Sequence, residues 1–458
     1  MLAHDGQLLC GNGDESVTDI SGRALKVGFI APIAGLNADS ISGMPYQMRR
    51  VLRAHFKHII TLRIHPTEEP VEDFFRAVRA LVRPVWKSGR EPARRFLHRA
   101  RIGVADSIPG WSYRATLRAS AQASLSIQDA LDEQEVDVLF GCCISAALVR
   151  LRTTIPIVYC SDTTAKILNG TYPEAMRRCS GYKGACDELE GTALRKCAAA
   201  VFASEQALAS AVKDYGLNPA CGHVMPMGAN VVPDVWAIPR PEPPKNGCLR
   251  LCIVASDPVR KRLDLAISAT ELLCQRGWRA ELVHIGRPTR RSLGSKVVIA
   301  AGRLRLSESD DQRKHREILA TSHLMMLPSS AEAFGIAPCE AAHFARPSIL
   351  SAAGGLPTVV RHGVTGLVMP VDSTAEQYAS AIDRLMRDED RYLAMCRAAL
   401  ERAHRLLSWE RWAEGVAKVI RDAARSQEKR APIGPDESPR TWSRFNKFTP
   451  VVPGVRAP

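Results

Sequence analysis

The sequence predicts an α/β chain of two tandem doubly wound domains facing each other across a cleft. Three observations carry that expectation. Apolar runs of strand length alternate with helix-period segments from Leu25 onward, a stiff proline-rich stretch interrupts them at Ile238 to Gly247, and the same alternation then restarts. Strands that alternate with helices call for parallel sheets covered on both faces. The 458 residues favour two or three domains, and 46% hydrophobic with 24% charged residues is a globular composition, neither fibrous nor disordered.

The first strand is "LKVGFIAPI", followed by the small-residue loop "AGLNADSISGMP" and the helical "YQMRRVLRAHF". "HIITLRI" is the next strand, and helices follow over roughly 72 to 132. "VDVLFGCC", "PIVYCSD", "AAAVFASE" and "GHVMPMGAN" each supply a further buried strand. "IPRPEPPKNG" carries four prolines and closes with Asn-Gly, as an interdomain linker does. Beyond it, strands "LRLCIVAS", "AELVHIG", "KVVIAAG", "HLMMLPS", "PSILSA" and "GLVMP" alternate with helices at "LDLAISATELLCQRG", "DQRKHREILATS" and "CEAAHFA". The segment from Ala375 reads as two or three closing helices, with "RDEDR" at Arg387 to Arg391 on the polar face of one of them. The expected division is a flexible N-terminus at 1–24, a first domain at 25–237, a linker at 238–247, a second domain at 248–405, a last helix at 406–425 and a mobile tail at 426–458.

The N-terminus has no basic region leading into a long apolar run, and no window approaches eighteen uninterrupted apolar residues, so a cytoplasmic chain without a membrane span is expected. A net charge of +14 points to anionic partners. Much of it is local: nine Lys and Arg side chains lie between Arg76 and Arg101 against the single acid Glu91, interleaved at helical spacing with Phe74, Phe75, Val78, Leu81, Val82, Val85 and Trp86. Two readings stand for 72–101, a basic amphipathic helix docking on anionic membrane and a surface helix with a solvated arginine face. No nucleic-acid signature accompanies the charge, and nucleic acid is not expected as a partner. The thirteen cysteines are too sparse for a disulfide scaffold, and the intervals between Cys179, Cys186 and Cys197 fit no zinc pattern, so no metal site is expected.

The chemistry concentrates in "SSAEAFGIAPCEA", Ser329 to Ala341, which sets Glu332 and Glu340 around an apolar, glycine-containing segment. Glu332 falls on the loop past the strand "HLMMLPS", at the end of a doubly wound sheet where ligands bind. Gly335 lets the backbone approach a ligand, and Pro338 suits the first turn of the next helix. The free N–H groups of that helix start favour an anion such as a diphosphate. Glu340, in the same first turn, can accept hydrogen bonds from a vicinal diol such as a ribose, and Glu332 from sugar hydroxyls.

"EAFGIAPCEA" resembles the Glu-x7-Glu signature of the retaining GT-B glycosyltransferases often called family 4. "RPSILSAAGGLPTVVRHGVTGLVMPVDS", "ASDPVRKRLDLAISA" and "LSWERW" continue that resemblance, as do "IPIVYCSDTTAKIL", "KCAAAVFASEQALASAVKDYGL" and "VMPMGAN" upstream. It covers roughly residues 25 to 422. The resemblance implies a GT-B fold of two Rossmann-like domains, the first on the acceptor side and the second binding the donor, with the last helix, around "SWERWAEGVAKVI", crossing back to the first. It implies transfer of a hexosyl unit, with retention, from a UDP- or GDP-sugar to an acceptor hydroxyl on a glycan, a lipid-linked or a small molecule. Glu332 would contact donor-sugar hydroxyls and Glu340 the ribose, while Phe334, Gly335, Ile336 and Ala337 cradle sugar and β-phosphate. Arg260 and Lys261 resemble the basic pair that neutralises the diphosphate, a role that a metal plays elsewhere. Gly43 of "SISGMPYQM" resembles the glycine loop beneath the reacting centre.

The sequence departs from the family pattern in three places, the basic loop, Asp162 and Thr358. Arg262 stands where a glycine usually follows the lysine, and Val254 and Ala255 stand where an arginine is usual. Asp162 stands where many members carry histidine; it reads equally as a ligand of sugar or acceptor and as a helix cap. Thr358 replaces a frequent glutamate. The rival activities are a nucleotide-sugar epimerase or a phosphorylase on the same fold, and a non-catalytic module that binds sugar nucleotides or membrane.

Overall fold

The computed structural model describes residues 23–32, 36–39, 41–64, 111–172, 180–233 and 240–427. The basic segment at 72–101, Cys179 and the expected tail beyond residue 427 lie outside the described residues.

Two six-stranded parallel sheets organise the chain. The first contains β1 (Lys26–Ala31), β2 (His58–Arg63), β3 (Val138–Cys142), β4 (Ile157–Ser161), β5 (Ala199–Phe202) and β6 (Gly222–Val224), in the order β2-β1-β3-β4-β5-β6. The second contains β7 (Cys248–Ala255), β8 (Arg279–Gly286), β9 (Val298–Gly302), β10 (Leu324–Leu327), β11 (Ser348–Ser351) and β12 (Gly366–Met369), in the order β12-β11-β10-β7-β8-β9. β3, β4, β5, β10 and β11 are buried along their whole length, which is why they read as unbroken apolar runs rather than as alternation.

In each sheet the strand order reverses beside the first strand, between β1 and β3 and between β7 and β10. Connections leaving in opposite directions open a crevice at the carboxyl ends of those strands. The loop after β1 therefore carries Gly43 to one crevice, and the loops after β7 and β10 carry Arg260, Lys261 and Glu332 to the other.

The last helix, Trp409–Gln427, packs on β3, β4 and β5 of the first sheet and on the helix Met44–Leu52. Its Trp409, Trp412, Val416 and Ile420 are buried there, and the Trp412 ring meets Phe140 edge-on at 6.0 Å between centroids. Full burial of each such side chain contributes about 2 kcal/mol. One hydrophobic core runs from the first sheet into the second, joining Phe29, Phe140, Met227 and Trp409 to Phe334, Leu350 and Leu356.

One sequence expectation is corrected. "RDEDR" does not lie within a helix: Arg387 ends the helix Ala375–Met386, and Asp388 caps the next, Glu389–Leu406, by accepting from Arg391 N at 3.1 Å. A carboxylate committed to an orphan N–H ends one helix and starts another even though the polar period continues.

Candidate functional site

β10 ends at Leu327, and the chain runs through Ser329 to Glu332 before the helix Ile336–His343 begins. On the neighbouring strand, the loop after β7 is built around Asp257, whose carboxylate accepts from the backbone N–H of Val259 and of Arg260, each at 3.1 Å. Ser330 N donates to Arg260 O at 2.8 Å, which ties the two loops together. Lys261 Nζ then reaches Glu332 Oε2 at 2.5 Å and Arg260 Nη1 reaches it at 3.1 Å, with Ser329 Oγ donating to the same oxygen at 3.2 Å. All three bonds land on Oε2; among the described residues no hydrogen bond is made to Oε1.

The three charges are largely withdrawn from solvent, with side-chain exposures of 10% for Lys261, 11% for Glu332 and 14% for Arg260. Burial pushes the Glu332 carboxyl up, but the Lys261 and Arg260 charges outweigh it and hold the group below its ordinary value. Burial likewise works against the Arg260 charge, and Glu332, Tyr172 and Asp257 more than offset it. The guanidinium lies over the Tyr172 ring at 4.9 Å from its centroid, and the Tyr172 hydroxyl accepts from Ala333 N–H. Tyr172 follows the helix Ala165–Thr171 of the first domain, so this contact crosses the cleft.

Asp162 sits half-buried just past β4, opposite this cluster. Burial and then the Glu332 charge push its carboxyl up to about 6, against two backbone N–H bonds that lower it. The reading of Asp162 as a helix cap is not what the structure has: Thr164 caps the helix Ala165–Thr171, accepting from Ile167 N at 3.3 Å. Gly43 takes φ +70, and a Cβ there would lie 2.8 Å from Ala38 O and 3.2 Å from Asn230 Nδ2. Asn230 fixes that loop by donating to Ser42 O at 2.6 Å while its Oδ1 accepts from Trp409 Nε1 at 3.0 Å.

Phe334 is buried, Gly335 precedes the helix at φ +108, and Ile336 and Ala337 form its first turn. Glu340 is only 4% exposed. It does not lie open to the cleft: its carboxyl accepts from Val231 and Asn230 N–H, and burial pushes it up to about 8. His315 Nε2 stands 3.7 Å from Glu340 Oε2. His284 and His343 are packing residues whose Nε2 atoms face the carbonyls of Ala255 and Leu407.

The residue that departs from the family pattern beside Lys261 has a physical consequence. Arg262 adopts φ 49, ψ 49, the left-handed region that glycine enters most easily, and its guanidinium donates to Val371 O. Arg262→Gly is expected to change stability by no more than about 1 kcal/mol, strain relief offsetting the lost hydrogen bond and the freer unfolded chain. Arg262→Val should destabilise by about 2 kcal/mol. Chemical denaturation midpoints check both; equal midpoints for the two variants would contradict the backbone argument.

Two residues of the site carried no sequence signal of their own. Tyr172 and His315 are brought in by the fold, whereas Asn230 closes the quoted "VMPMGAN". Gly354 and Gly355 had a signal, the Gly-Gly of "SAAGGLPT" after β11: they pack against the backbone of Glu332 to Phe334, and Gly355 N donates to Ala333 O at 3.1 Å.

A family model described as Glycosyl transferases group 1 matches residues 234–402. A D-inositol 3-phosphate glycosyltransferase of Thermobispora bispora is 29% identical over 131 residues, 29% of this chain and 30% of that protein. One of Acidothermus cellulolyticus is 28% identical over 300 residues, 59% of this chain and 63% of that protein. The chain thus spans less than two thirds of the length of these relatives. Among solved structures, sucrose-phosphate synthase of Thermosynechococcus elongatus aligns with a TM-score of 0.60 at 16% identity, covering 87% of this chain and 98% of that one. Anabaena HepE in complex with UDP aligns at 0.53 with 14% identity, covering 87% and 100%. Residues 234–402 thus match the family of group 1 glycosyltransferases, and the two sheets together share the fold of these solved structures.

Proposed function

We propose that the chain is a retaining hexosyltransferase that moves a hexosyl unit from a nucleotide-diphosphate sugar to an acceptor hydroxyl without a metal ion. The observation that carries this reading is the Lys261–Glu332–Arg260 cluster at the switch point of the second sheet, with Oε1 of Glu332 left for a sugar hydroxyl. In the reaction the bond between the anomeric carbon and the β-phosphate oxygen breaks. The acceptor oxygen bonds the same face of that carbon, and its proton passes to the departing phosphate oxygen. Lys261 has three donors and Arg260 five, so both retain N–H groups for the diphosphate while paired with Glu332. Two cations beside a leaving phosphate supply charge stabilisation of the kind a metal supplies elsewhere. Phe334, Gly335, Ile336 and Ala337 would line the sugar and β-phosphate, Glu340 would receive the ribose, and Gly43 would keep the acceptor approach free of a side chain. Asp162, opposite Glu332, would accept a hydroxyl of sugar or acceptor and favour positive charge developing at the anomeric carbon.

UDP comes before GDP as the nucleotide to test, because a solved neighbour is described in complex with UDP and with UDP and glucose. The relatives' name puts a phosphorylated polyol beside glycans and lipid-linked sugars among the first acceptors. We place the protein in the cytoplasm, and for 72–101 both readings stand, docking on the inner face of an anionic membrane and a solvated arginine face. Among the described residues no helix is long and apolar enough to cross a membrane. Thermal unfolding with UDP, GDP and their sugars tests the donor: a ligand at 100 times its Kd adds about 2.7 kcal/mol. Absence of any shift, together with no transfer to any acceptor, would remove the reading. Isomerised donor or a need for orthophosphate would replace it with an epimerase or a phosphorylase.

Asp162 gives a prediction with two opposite signs. Its folded value, about 6, lies above the ordinary 3.8, so the protonated form is favoured by folding. That stability is complete below about pH 4 and is lost as pH rises through about 6. Asp162→Asn should therefore melt higher than the wild type at pH 7.5 and match it at pH 4, while transfer falls at least about tenfold. A variant that melts lower at pH 7.5 would mean that the carboxylate holds the fold together instead.

A further inference from the structure

Glu340 and His315 form a buried pair that the proposed chemistry leaves unexplained. Glu340 lies on the helix Ile336–His343 and His315 on the helix Ser309–Thr321; they are 4% and 5% exposed, and their nearest polar atoms, Oε2 and Nε2, are 3.7 Å apart. His315 Nε2 has no hydrogen-bond partner among the described residues. A buried imidazole nitrogen aimed at a buried carboxyl is an expensive arrangement unless the two exchange something.

We infer that His315 is a positioning residue that takes the proton of Glu340 when a nucleotide ribose enters, so that the buried carboxyl can meet the diol as a carboxylate. This rests on the reading that Glu340 receives the ribose. Burial alone pushes His315 down to about 4, and burial pushes Glu340 up to about 8 against the N–H groups of Val231 and Asn230. In the empty protein at neutral pH both are therefore uncharged, and the single proton sits on Glu340. A neutral carboxylic acid accepts a diol poorly, whereas a carboxylate accepts both O–H groups. On binding, the Glu340 O–H bond breaks and the proton bonds His315 Nε2: the value near 4 reflects burial alone, and the carboxylate left 3.7 Å away raises it, so that imidazolium and carboxylate stay paired. No proton leaves the protein.

On the helix of His315, Arg313 pairs with Asp310, Asp311 accepts from Arg305 N and Glu317 is exposed; the groups named next also bond elsewhere. Arg316 Nε donates to Val232 O at 3.1 Å, Lys314 Nζ to Ala301 O at 3.0 Å, and Arg346 Nη2 to Ala320 O at 2.6 Å. Arg402 donates to the carbonyls of Thr358 and Val359, His343 faces Leu407 O, and the Cys339 thiol is pushed up by burial and then by Glu340. His315 is thus the base within reach of the Glu340 proton.

The test is the affinity of the full chain for UDP-glucose and GDP-mannose, whose diphosphates carry no group titrating near neutrality, by calorimetry from about pH 6 to about pH 7.5. In His315→Gln the Glu340 proton must go to solvent, so the variant should weaken relative to wild type by about tenfold per pH unit as pH falls, releasing about one proton per ligand. A variant-to-wild-type ratio that does not change with pH overturns the inference. Glu340→Gln separates the two claims. If it binds as wild type does, the ribose reading fails; if it weakens while the His315→Gln ratio stays flat, only the proton transfer fails. Should His315→Gln not fold, the wild type still decides: carbon-13 NMR of its histidine rings at pH 7.5 should show one imidazole becoming imidazolium on saturation, and no such change overturns the inference.

Discussion

Replacing Glu332 by Gln is expected to lower kcat/KM for sugar transfer about 100- to 1,000-fold, the range measured when one preorganised charge partner is removed from an active site. Two losses combine. The substituted side chain would offer an amide where a carboxylate accepts a sugar hydroxyl, and it would leave Lys261 and Arg260 as buried cations without their shared counter-charge. Breaking a buried ion pair by removing one partner costs about 3 kcal/mol, so the variant should also melt several degrees lower. Its stability should depend on pH differently from the wild type. The Glu332 carboxyl is held below its ordinary 4.5, so the stability that it provides is present above that value and lost as pH falls through the lower, folded one. The wild-type advantage over Glu332→Gln should therefore shrink in acid. Saturating donor should restore part of the melting loss, since its diphosphate is a new partner for the two cations. Transfer within threefold of wild type would sink the reading of Glu332 as a substrate contact.

What the sequence could and could not disclose follows from the range of the interactions. Buried parallel strands are continuous apolar runs, so β3, β4, β10 and β11 were legible from composition alone. The placement of Glu332 past β10 was legible for the same reason, because a loop after a strand is a local fact. Its partners were not: Lys261 and Arg260 precede it by about seventy residues, and only the pairing of β7 with β10 brings both loops to one oxygen. Tyr172 arrives from the other domain and has no spacing that would betray it. Glu340 was legible as a candidate from its spacing to Glu332. Its burial beside Asn230 and Val231 was not, because that depends on where the chain crosses between domains. "RDEDR" failed in the opposite direction, since a polar helical period persisted through a helix end set by one capping side chain, Asp388.

Among the described glycines, Gly354 should be the one whose replacement by Ala is most damaging, although it touches no proposed substrate. Its φ is +56, and a Cβ would lie 1.5 Å from the carbonyl oxygen of Glu332. A backbone oxygen cannot rotate aside as a side chain can, so either residue 354 or Glu332 must move. Moving Glu332 drags its carboxylate away from Lys261 and Arg260; keeping it distorts β11's exit and the buried Leu356 beyond. A cost above about 3 kcal/mol is expected, in the upper tail of single substitutions. Gly363→Ala isolates the clash. Gly363 has φ +75 with nothing within 4 Å of its Cβ position, so that variant carries only the left-handed backbone term, about 1 kcal/mol. The pair should differ by about 2 kcal/mol or more in unfolding free energy, and transfer should collapse for Gly354→Ala while Gly363→Ala stays near wild type. Equal losses in the two would show that conformation, not the contact with Glu332, is what Gly354 provides.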